Sequence, residues 1–464
     1  MMGPDFSNKK ILIIGMGLSG RSAALFLLEN NASVLGVDSK MMQLQLDPEI
    51  HSLIKKGLVL NTDQSNLKID KFDFVVLSPG VSPDHELVSL AKQENIPVLG
   101  EIELGCQILK NKELLGQEIE VFGITGTNGK TTVSLLLSHL FNECGYRASA
   151  LGNVGVPLTK ELLKLNQNET IILELSSFQL ETLQQKILDC GIILNITPDH
   201  LDRYKNMEEY AKAKIKMIRC LKKNAPLYIH EDCWKEFSHL DSVFSPRLYG
   251  YQSTSFIFTD LEFVYKEGIK KFKLPSLLAN KKSIDLENLL AAYALLSQKE
   301  MDVNAFLKAW ESFKKPAHRM QSIAHFQGVE FIDDSKGTNI DAVVRAVESI
   351  HGPIVLIAGG VDKGTSFKEW TKSLKNKVKL VCTIGQAADK IEEELTPDIS
   401  VLKFSSLEEA VKAAFDHTNE GDTVLLSPGC ASLDMFRNYA HRGELFQKIV
   451  LNLVEQKKDL RSGK

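Results

Sequence analysis

At 464 residues, 44% apolar and 25% charged, the chain has the makeup of an ordinary globular protein, with length for roughly two to four separate cores. A net charge of −4 excludes a global field that would draw nucleic acid or an anionic membrane. The seven cysteines are odd in number, scattered and without CxxC spacing, which excludes a disulfide framework and a zinc cluster. No apolar run reaches membrane-spanning length and no signal-peptide h-region opens the chain, so a cytoplasmic protein is expected.

The first block predicts a strand over 10–14, a turn with Gly15, Gly17 and Gly20 spaced as G-x-G-x-x-G, and a helix over 21–29. A second strand at 33–37 ends on Asp38, and a third at 74–77 runs into a Ser-Pro-Gly turn that closes on Gly80. This alternation is the βαβ signature of a parallel sheet covered by helices. The glycine fingerprint, with an acid about twenty residues on, admits three readings. One is NAD and oxidoreductase chemistry; another is a different diphosphate nucleotide, because the turn recognises pyrophosphate and not nicotinamide. The third is a tight strand–helix turn that holds nothing, and the fingerprint alone leaves all three open.

The second block opens with an apolar segment at 118–122, the loop T-G-T-N-G-K-T-T at 125–132, and an apolar helical pattern over 133–141. Strand, glycine turn and helix start fall together, as a phosphate cradle requires. Gly126 and Gly129 let the backbone curl around a polyphosphate, Lys130 neutralises its terminal phosphates, and the Thr131 hydroxyl can hold Mg²⁺. The strict pattern asks for glycine at position 124, where Ile124 stands, and a short Gly-Lys-Thr loop taken alone is also compatible with an ordinary turn. Two further strands, 170–173 and 191–194, end before Glu174 and Asn195, the strand ends where functional side chains gather in doubly wound sheets. Glu174 reads either as a Mg²⁺ ligand or as a solvated carboxylate capping the next helix. The segment 195–204 packs His200 among Asp199, Asp202 and Arg203, a metal or substrate contact or simply a satisfied Asp/His turn. Lys214 lies in a helix expected over 208–220 beside Lys212 and Lys216, and periodicity makes it a solvated lysine. Residues 247–277 alternate in short stretches that predict a small, peripheral antiparallel ribbon.

The third block follows Pro316 and alternates again, with strands at 353–358, 378–383 and 423–426 that land on Gly359 and Gly360, Gly385, and Gly429. After a strand at 329–332, the loop 333–339 combines acids, a cation and hydroxyls. It can hold a sugar hydroxyl and a carboxylate, or be a turn without a ligand. Lys363 and Ser432 carry weaker signals. The charged stretch 455–464 is expected to fray.

Five motifs stand in order along the chain: the loop at 125–132, E-L-S-S-F-Q-L at 174–180, H-L-D-R-Y at 200–204, D-S-K-G-T-N at 334–339 and A-S-L-D at 431–434. Together they resemble the Mur ligases, ATP-dependent amino-acid-adding enzymes of peptidoglycan synthesis, and the resemblance spans all three blocks. It implies an α/β fold of three domains. These are a Rossmann-like UDP-binding domain over 1–107, a central P-loop ATPase-like domain with a small antiparallel ribbon over 108–316, and a Rossmann-like amino-acid-binding domain over 317–464. It also implies ATP and two Mg²⁺ ions as cofactors, small-molecule substrates, no nucleic acid, no membrane insertion and a monomer. The 334–338 loop favours the branch that adds D-glutamate to UDP-N-acetylmuramoyl-L-alanine over siblings that add L-alanine, a diamino acid, or glutamates to folate.

Carried over residue by residue, the resemblance gives Ser19, Asp38, Lys40 and Gly80 to the uracil, ribose or diphosphate of the precursor, and Asn153 and Ser176 to its remainder. Gly126, Thr127, Asn128, Gly129, Lys130, Thr131 and Thr132 hold phosphates, while Asn288, Arg319 and Asp334 hold adenine, phosphate and ribose. Thr131 and Glu174 bind one Mg²⁺ and His200 the second. Lys214 aligns with a carbamylated lysine, which makes it, with Lys130, Glu174 and His200, part of the catalytic set. Thr338, Lys363, Ser432 and Tyr439 line the D-glutamate pocket. The chain departs from the family at Ile284 and Asp285, where His-Asn is frequent, at Tyr439, where Phe is common, and at Lys40, where Arg is frequent.

Overall fold

The computed structural model describes residues 6–39, 46–61, 67–114, 116–153, 155–165, 169–280, 282–396 and 398–462. Two compact units divide the chain: 1–195 with 211–281 and 286–313, and 196–210 with 282–285 and 314–464.

The first unit carries two sheets. Strands β1 (Lys10–Ile14), β2 (Ser33–Val37), β3 (Val59–Leu60), β4 (Phe74–Leu77) and β5 (Val98–Gly100) form a five-stranded parallel sheet ordered β3-β2-β1-β4-β5. The three expected strands coincide with β1, β2 and β4; the helix after the glycine turn starts earlier than its apolar pattern, at Leu18. The second sheet contains β6 (Ile119–Thr125), β7 (Ala148–Gly152), β8 (Glu169–Glu174), β9 (Cys190–Ile193), β10 (Leu227–His230), β11 (Arg247–Gly250), β12 (Ile257–Thr259), β13 (Phe263–Lys266) and β14 (Ile269–Lys273). Their order is β14-β13-β12-β11-β10-β9-β6-β8-β7. The expected ribbon is present as β12, β13 and β14, which pair antiparallel. Contrary to the sequence reading, Arg247–Gly250 is not part of it: β11 pairs parallel with β10 and with β12, so the ribbon extends the main sheet.

The central helix Lys130–Glu143 buries Val133, Leu136, Leu137, Leu140 and Phe141, one face at helical spacing, against the sheet. Phe141 meets Phe122 of β6 edge to face at 5.5 Å. Each such side chain stabilises the fold by roughly 1.5–3 kcal/mol through burial. The helix Ile284–Leu296 is buried without a break from Asn288 through Leu296, so this stretch lies inside the core and has no solvent-facing side.

The second unit holds β15 (Gln321–Phe326), β16 (Val329–Asp333), β17 (Ile354–Gly359), β18 (Val378–Ile384), β19 (Val401–Lys403) and β20 (Thr423–Leu426), ordered β15-β16-β20-β17-β18-β19. All neighbours pair parallel except β15 with β16. Separate apolar cores on its two faces make it doubly wound. Of the stretch expected to fray, residues 455–462 continue the helix Tyr439–Ser462, and 463–464 lie outside the described residues.

Candidate active site

In the first sheet, Gly15 has φ +91°, and a Cβ on Gly20 would lie 2.0 Å from the Gly15 carbonyl oxygen, so only glycine fits at position 20. Asp38, at the end of β2, accepts a hydrogen bond from Met16 N at 2.7 Å, and Ser78 Oγ donates to Gly15 O at 2.7 Å. Ser19 is half-buried and Gly80 is exposed. Lys40 lies outside the described residues.

In the second sheet, β6 delivers the chain to the loop at Gly126, and Gly129 takes φ +83° as the residue that caps the helix Lys130–Glu143. A Cβ there would stand 3.3 Å from Asn288 Oδ1 and 3.4 Å from Leu194 Cδ1, which fixes both the need for glycine and the proximity of Asn288. Lys130 Nζ folds back on the loop, donating to Gly126 O at 2.8 Å and Thr127 O at 2.7 Å. Thr131 and Thr132 follow in the first helical turn, whose N–H groups have no intrahelical acceptor.

Glu174 is the last residue of β8 and only 1% exposed. Its Oε1 accepts Asn153 Nδ2 at 2.8 Å, whereas Oε2 is buried without a hydrogen-bond partner. The carboxylate does not cap the next helix. Ser176 does so, accepting from Gln179 N at 3.2 Å while Gln179 Oε1 accepts from Ser176 N at 2.9 Å. Lys214 also departs from its sequence reading. It is 1% exposed and donates to Gly126 O at 2.7 Å; the expected helix 208–220 is two pieces, Met207–Ile215 and Met217–Cys220, and Lys214 lies in the first. The loop that carries Lys130 is thus reached by two lysines.

Mg²⁺ fits this donor set. Among the described residues no cluster of three or more His, Cys, Asp or Glu forms a protein cage. Mg²⁺ characteristically takes one or two carboxylates and completes its shell with phosphate oxygens and water. Glu174 Oε2, buried and unbonded, and the Thr131 hydroxyl are oxygen donors of the kind Mg²⁺ takes; the Lys214 ammonium is not, and would be one only as a carbamate.

The second unit gathers the remaining candidates. Asp334 is buried, accepting from Ser427 Oγ at 2.8 Å and Met320 N at 3.3 Å, and burial pushes its carboxyl up to about 7 against the opposing pull of Arg319. Asp199 is buried and pairs with Lys363 Nζ at 3.0 Å. His200 takes φ +58°, its N–H donating to Asp199 Oδ1 at 2.9 Å, and its ring meets Tyr210 at 6.2 Å. Reciprocal backbone bonds between Val361 and Ala431, at 2.8 and 3.0 Å, bring the loops of Lys363 and Ser432 side by side. Thr338 is half-buried, Ser432 buried, and Tyr439 lies under Lys336 Nζ at 3.9 Å while its carbonyl accepts Ser335 Oγ at 2.8 Å. Sequence reasoning gave no role to Asn195, which bonds the phosphate loop, or to the buried pair of His318 with Asp333 at 2.7 Å next to Arg319 and Asp334. Only the post-strand position of Asn195 signals it in sequence.

Three family models match: the Mur ligase MurD-like N-terminal domain over residues 9–100, the Mur ligase middle domain over 124–295, and the Mur ligase glutamate ligase domain over 318–430. The UDP-N-acetylmuramoylalanine--D-glutamate ligase of Protochlamydia amoebophila is 48% identical across 96% of this chain and 98% of its own length. The chain belongs to the Mur ligase family. The same-named enzyme of Caldanaerobacter subterraneus is 34% identical across 97% and 99%. In fold, this Mur ligase resembles the UDP-N-acetylmuramate-alanine ligase MurC of Thermotoga maritima, with TM-score 0.61 and 19% identity over 96% of this chain and all of that one. MurF ligase of the same organism, solved in complex with ADP, gives TM-score 0.60 and 15% identity over 92% and 96%. These Mur ligases are amide-forming, ATP-dependent enzymes, and this one shares their three-domain architecture. No helix among the described residues is long and apolar enough to cross a membrane.

Proposed function

We propose that this Mur ligase adds D-glutamate to UDP-N-acetylmuramoyl-L-alanine, with ATP hydrolysed to ADP and phosphate, in the cytoplasm and as a monomer. Residues 1–107 hold the UDP end, 108–316 the ATP, and 317–464 the D-glutamate. The observation that carries the reading is the buried, unbonded Glu174 Oε2 on the strand beside the lysine-bearing loop.

Hydroxide is a poor leaving group, so a carboxylate must be activated before an amine can displace it. The L-alanyl carboxylate attacks the γ-phosphorus, ADP departs, and an acyl phosphate forms. The D-glutamate amine then attacks the acyl carbon, loses a proton, and expels phosphate to leave the amide. Lys130 exchanges its two carbonyl partners for the terminal phosphates and offsets their charge as it is redistributed. Asn153 holds one oxygen of Glu174 so that the other stays available. Thr131, Glu174, His200 and carbamylated Lys214 would hold Mg²⁺, two ions in this reading, which would supply positive charge to offset that of the phosphates. Asn288, Arg319 and Asp334 hold the nucleotide, Ser19, Asp38, Lys40, Gly80, Asn153 and Ser176 the precursor. Thr338, Lys363, Ser432 and Tyr439 hold D-glutamate, the Lys363 cation supplying most of the attraction for its carboxylates.

The test is phosphate release from ATP and Mg²⁺ with UDP-N-acetylmuramoyl-L-alanine, comparing D-glutamate, L-glutamate, L-alanine and diamino acids. Release that depends on D-glutamate, with the matching amide formed, is the expected result. Release with another amino acid moves the enzyme to a sibling branch, and no release with any of them overturns the reading.

A further inference from the structure

The phosphate loop is gripped from outside by one amide side chain. Asn195 follows β9, and its Oδ1 accepts hydrogen bonds from Asn128 N at 2.8 Å and Thr127 N at 3.1 Å. Its Nδ2 donates back to Asn128 O at 3.2 Å, and its own carbonyl accepts from Thr127 N at 2.9 Å. The backbone approach is correspondingly close. A Cβ on Gly126 would stand 3.0 Å from Leu194 Cβ and 3.3 Å from Asn195 N. The strand end that presents Asn195 is itself held, since Leu194 N donates to Thr125 O at 2.9 Å and Tyr249 Oη reaches Leu194 O at 3.5 Å.

We infer that Asn195 is a positioning residue for the nucleotide, fixing the 127–128 peptide so that the following helix turn and Lys130 meet the phosphates in one preset geometry. This rests on the reading of the 126–132 loop as the ATP cradle. The chemistry demands an amide. The side chain must accept from Asn128 N, share Thr127 N with the backbone carbonyl and donate to the Asn128 carbonyl, and asparagine alone among short side chains does all three at one point. A hydroxyl is too short to span these partners, and an aspartate supplies only acceptors. Aspartate would in addition set a negative charge against the loop that receives a polyphosphate, within hydrogen-bond distance of its backbone. Preset loop geometry matters because catalysis of phosphoryl transfer is almost entirely positioning and electrostatics.

The experiment uses the full-length chain and two variants, Asn195→Asp and Asn195→Ala. Equilibrium binding of a fluorescent ADP analogue with Mg²⁺ is measured alongside thermal unfolding and, for the reaction, the KM of each substrate. Asn195→Asp has the same shape and keeps both accepted N–H bonds but loses the donation to Asn128 O, so its melting temperature should fall by a few degrees at most. Its nucleotide affinity should fall at least tenfold and its KM for ATP rise to match, with the KM values of the other two substrates within twofold. Asn195→Ala should show the same split, and where it fails to fold the isosteric variant decides. Unchanged nucleotide affinity in Asn195→Asp overturns the inference alone. A lower melting temperature with every KM unchanged also overturns it, by making Asn195 structural only. No nucleotide binding by the unmodified chain overturns the ATP reading and the inference with it.

Discussion

The turn at Gly15–Gly20 and the loop at Gly126–Gly129 each follow an interior strand with a parallel neighbour on either side and each open a helix, but their surroundings are finished with different side chains. Around the first, Asp38 takes Met16 N, Arg21 Nε donates to Met16 O at 2.9 Å, and Ser78 closes on Gly15 O. Around the second stand Lys130 and Lys214, both on Gly126 O, with Asn195 on the loop and buried Glu174 at the end of the adjacent strand. Glycine spacing fixes only the backbone curl. The neighbouring strand ends decide what the curl can hold: an acid and hydroxyls at the first suit a sugar and a diphosphate, cations and a metal-type carboxylate at the second suit a triphosphate that reacts.

Lys130→Ala breaks this contrast most sharply. Removing the cation that bonds both Gly126 O and Thr127 O should lower kcat on the order of 10³-fold, while Asp38→Asn at the first turn should act mainly on the KM for the UDP precursor. Steady-state kinetics on both variants check it, and equal kcat losses would erase the distinction between the turns. If Lys214 carries a carbamate, as proposed, Lys214→Ala should lower kcat by about 10²-fold and regain activity with acetate, a small carboxylate that fits the space of the removed side chain. A variant that acetate does not revive would make Lys214 an ammonium serving the Gly126 carbonyl. Glu174→Gln keeps the Asn153 bond through its amide oxygen but loses the charge, so its Mg²⁺ requirement should rise about 10- to 100-fold. An unaltered Mg²⁺ titration would remove Glu174 from the metal site.

These effects separate what the sequence made legible from what it did not. β1, β2 and β4 follow from apolar runs bounded by turns, because a strand buried on both faces has no polar position to blur its ends. Lys130 and Thr131 were visible because a phosphate loop is local, its parts adjacent in the chain. Lys214 was not, since lysine in a helix with lysine neighbours carries the signature of a solvated face, and its burial on Gly126 O is a tertiary contact. Glu174 divided evenly between ligand and cap by position, and the burial of Oε2 is a property of packing that no spacing encodes. The ribbon was read from alternation, yet alternation does not tell parallel from antiparallel pairing, and so β11 was misplaced.

The smallest effect concerns how the first turn is tethered. Ser22, in the helix that this turn opens, bonds Thr159 Oγ1 at 2.8 Å, and Thr159 in turn donates both its N–H and its hydroxyl to Glu101 Oε1 at 2.7 Å. Glu101 Oε2 is buried without a hydrogen-bond partner, and burial pushes this carboxyl up to about 7 from the ordinary 4.5, the two Thr159 bonds opposing it only in part. A group whose folded-state value is raised binds its proton more tightly in the fold. Its contribution is therefore complete below about pH 4.5 and is lost as pH rises through about 7. Between pH 5 and pH 8 the melting temperature of the unmodified chain should fall by a few degrees relative to that of Glu101→Gln, whose amide does not titrate. Nucleotide affinity should stay level in both, because the second loop shares none of these bonds. Parallel melting curves would mean that Glu101 stays ionised in the fold, and a matching loss of nucleotide affinity would mean that the two turns are coupled through the junction at Thr159.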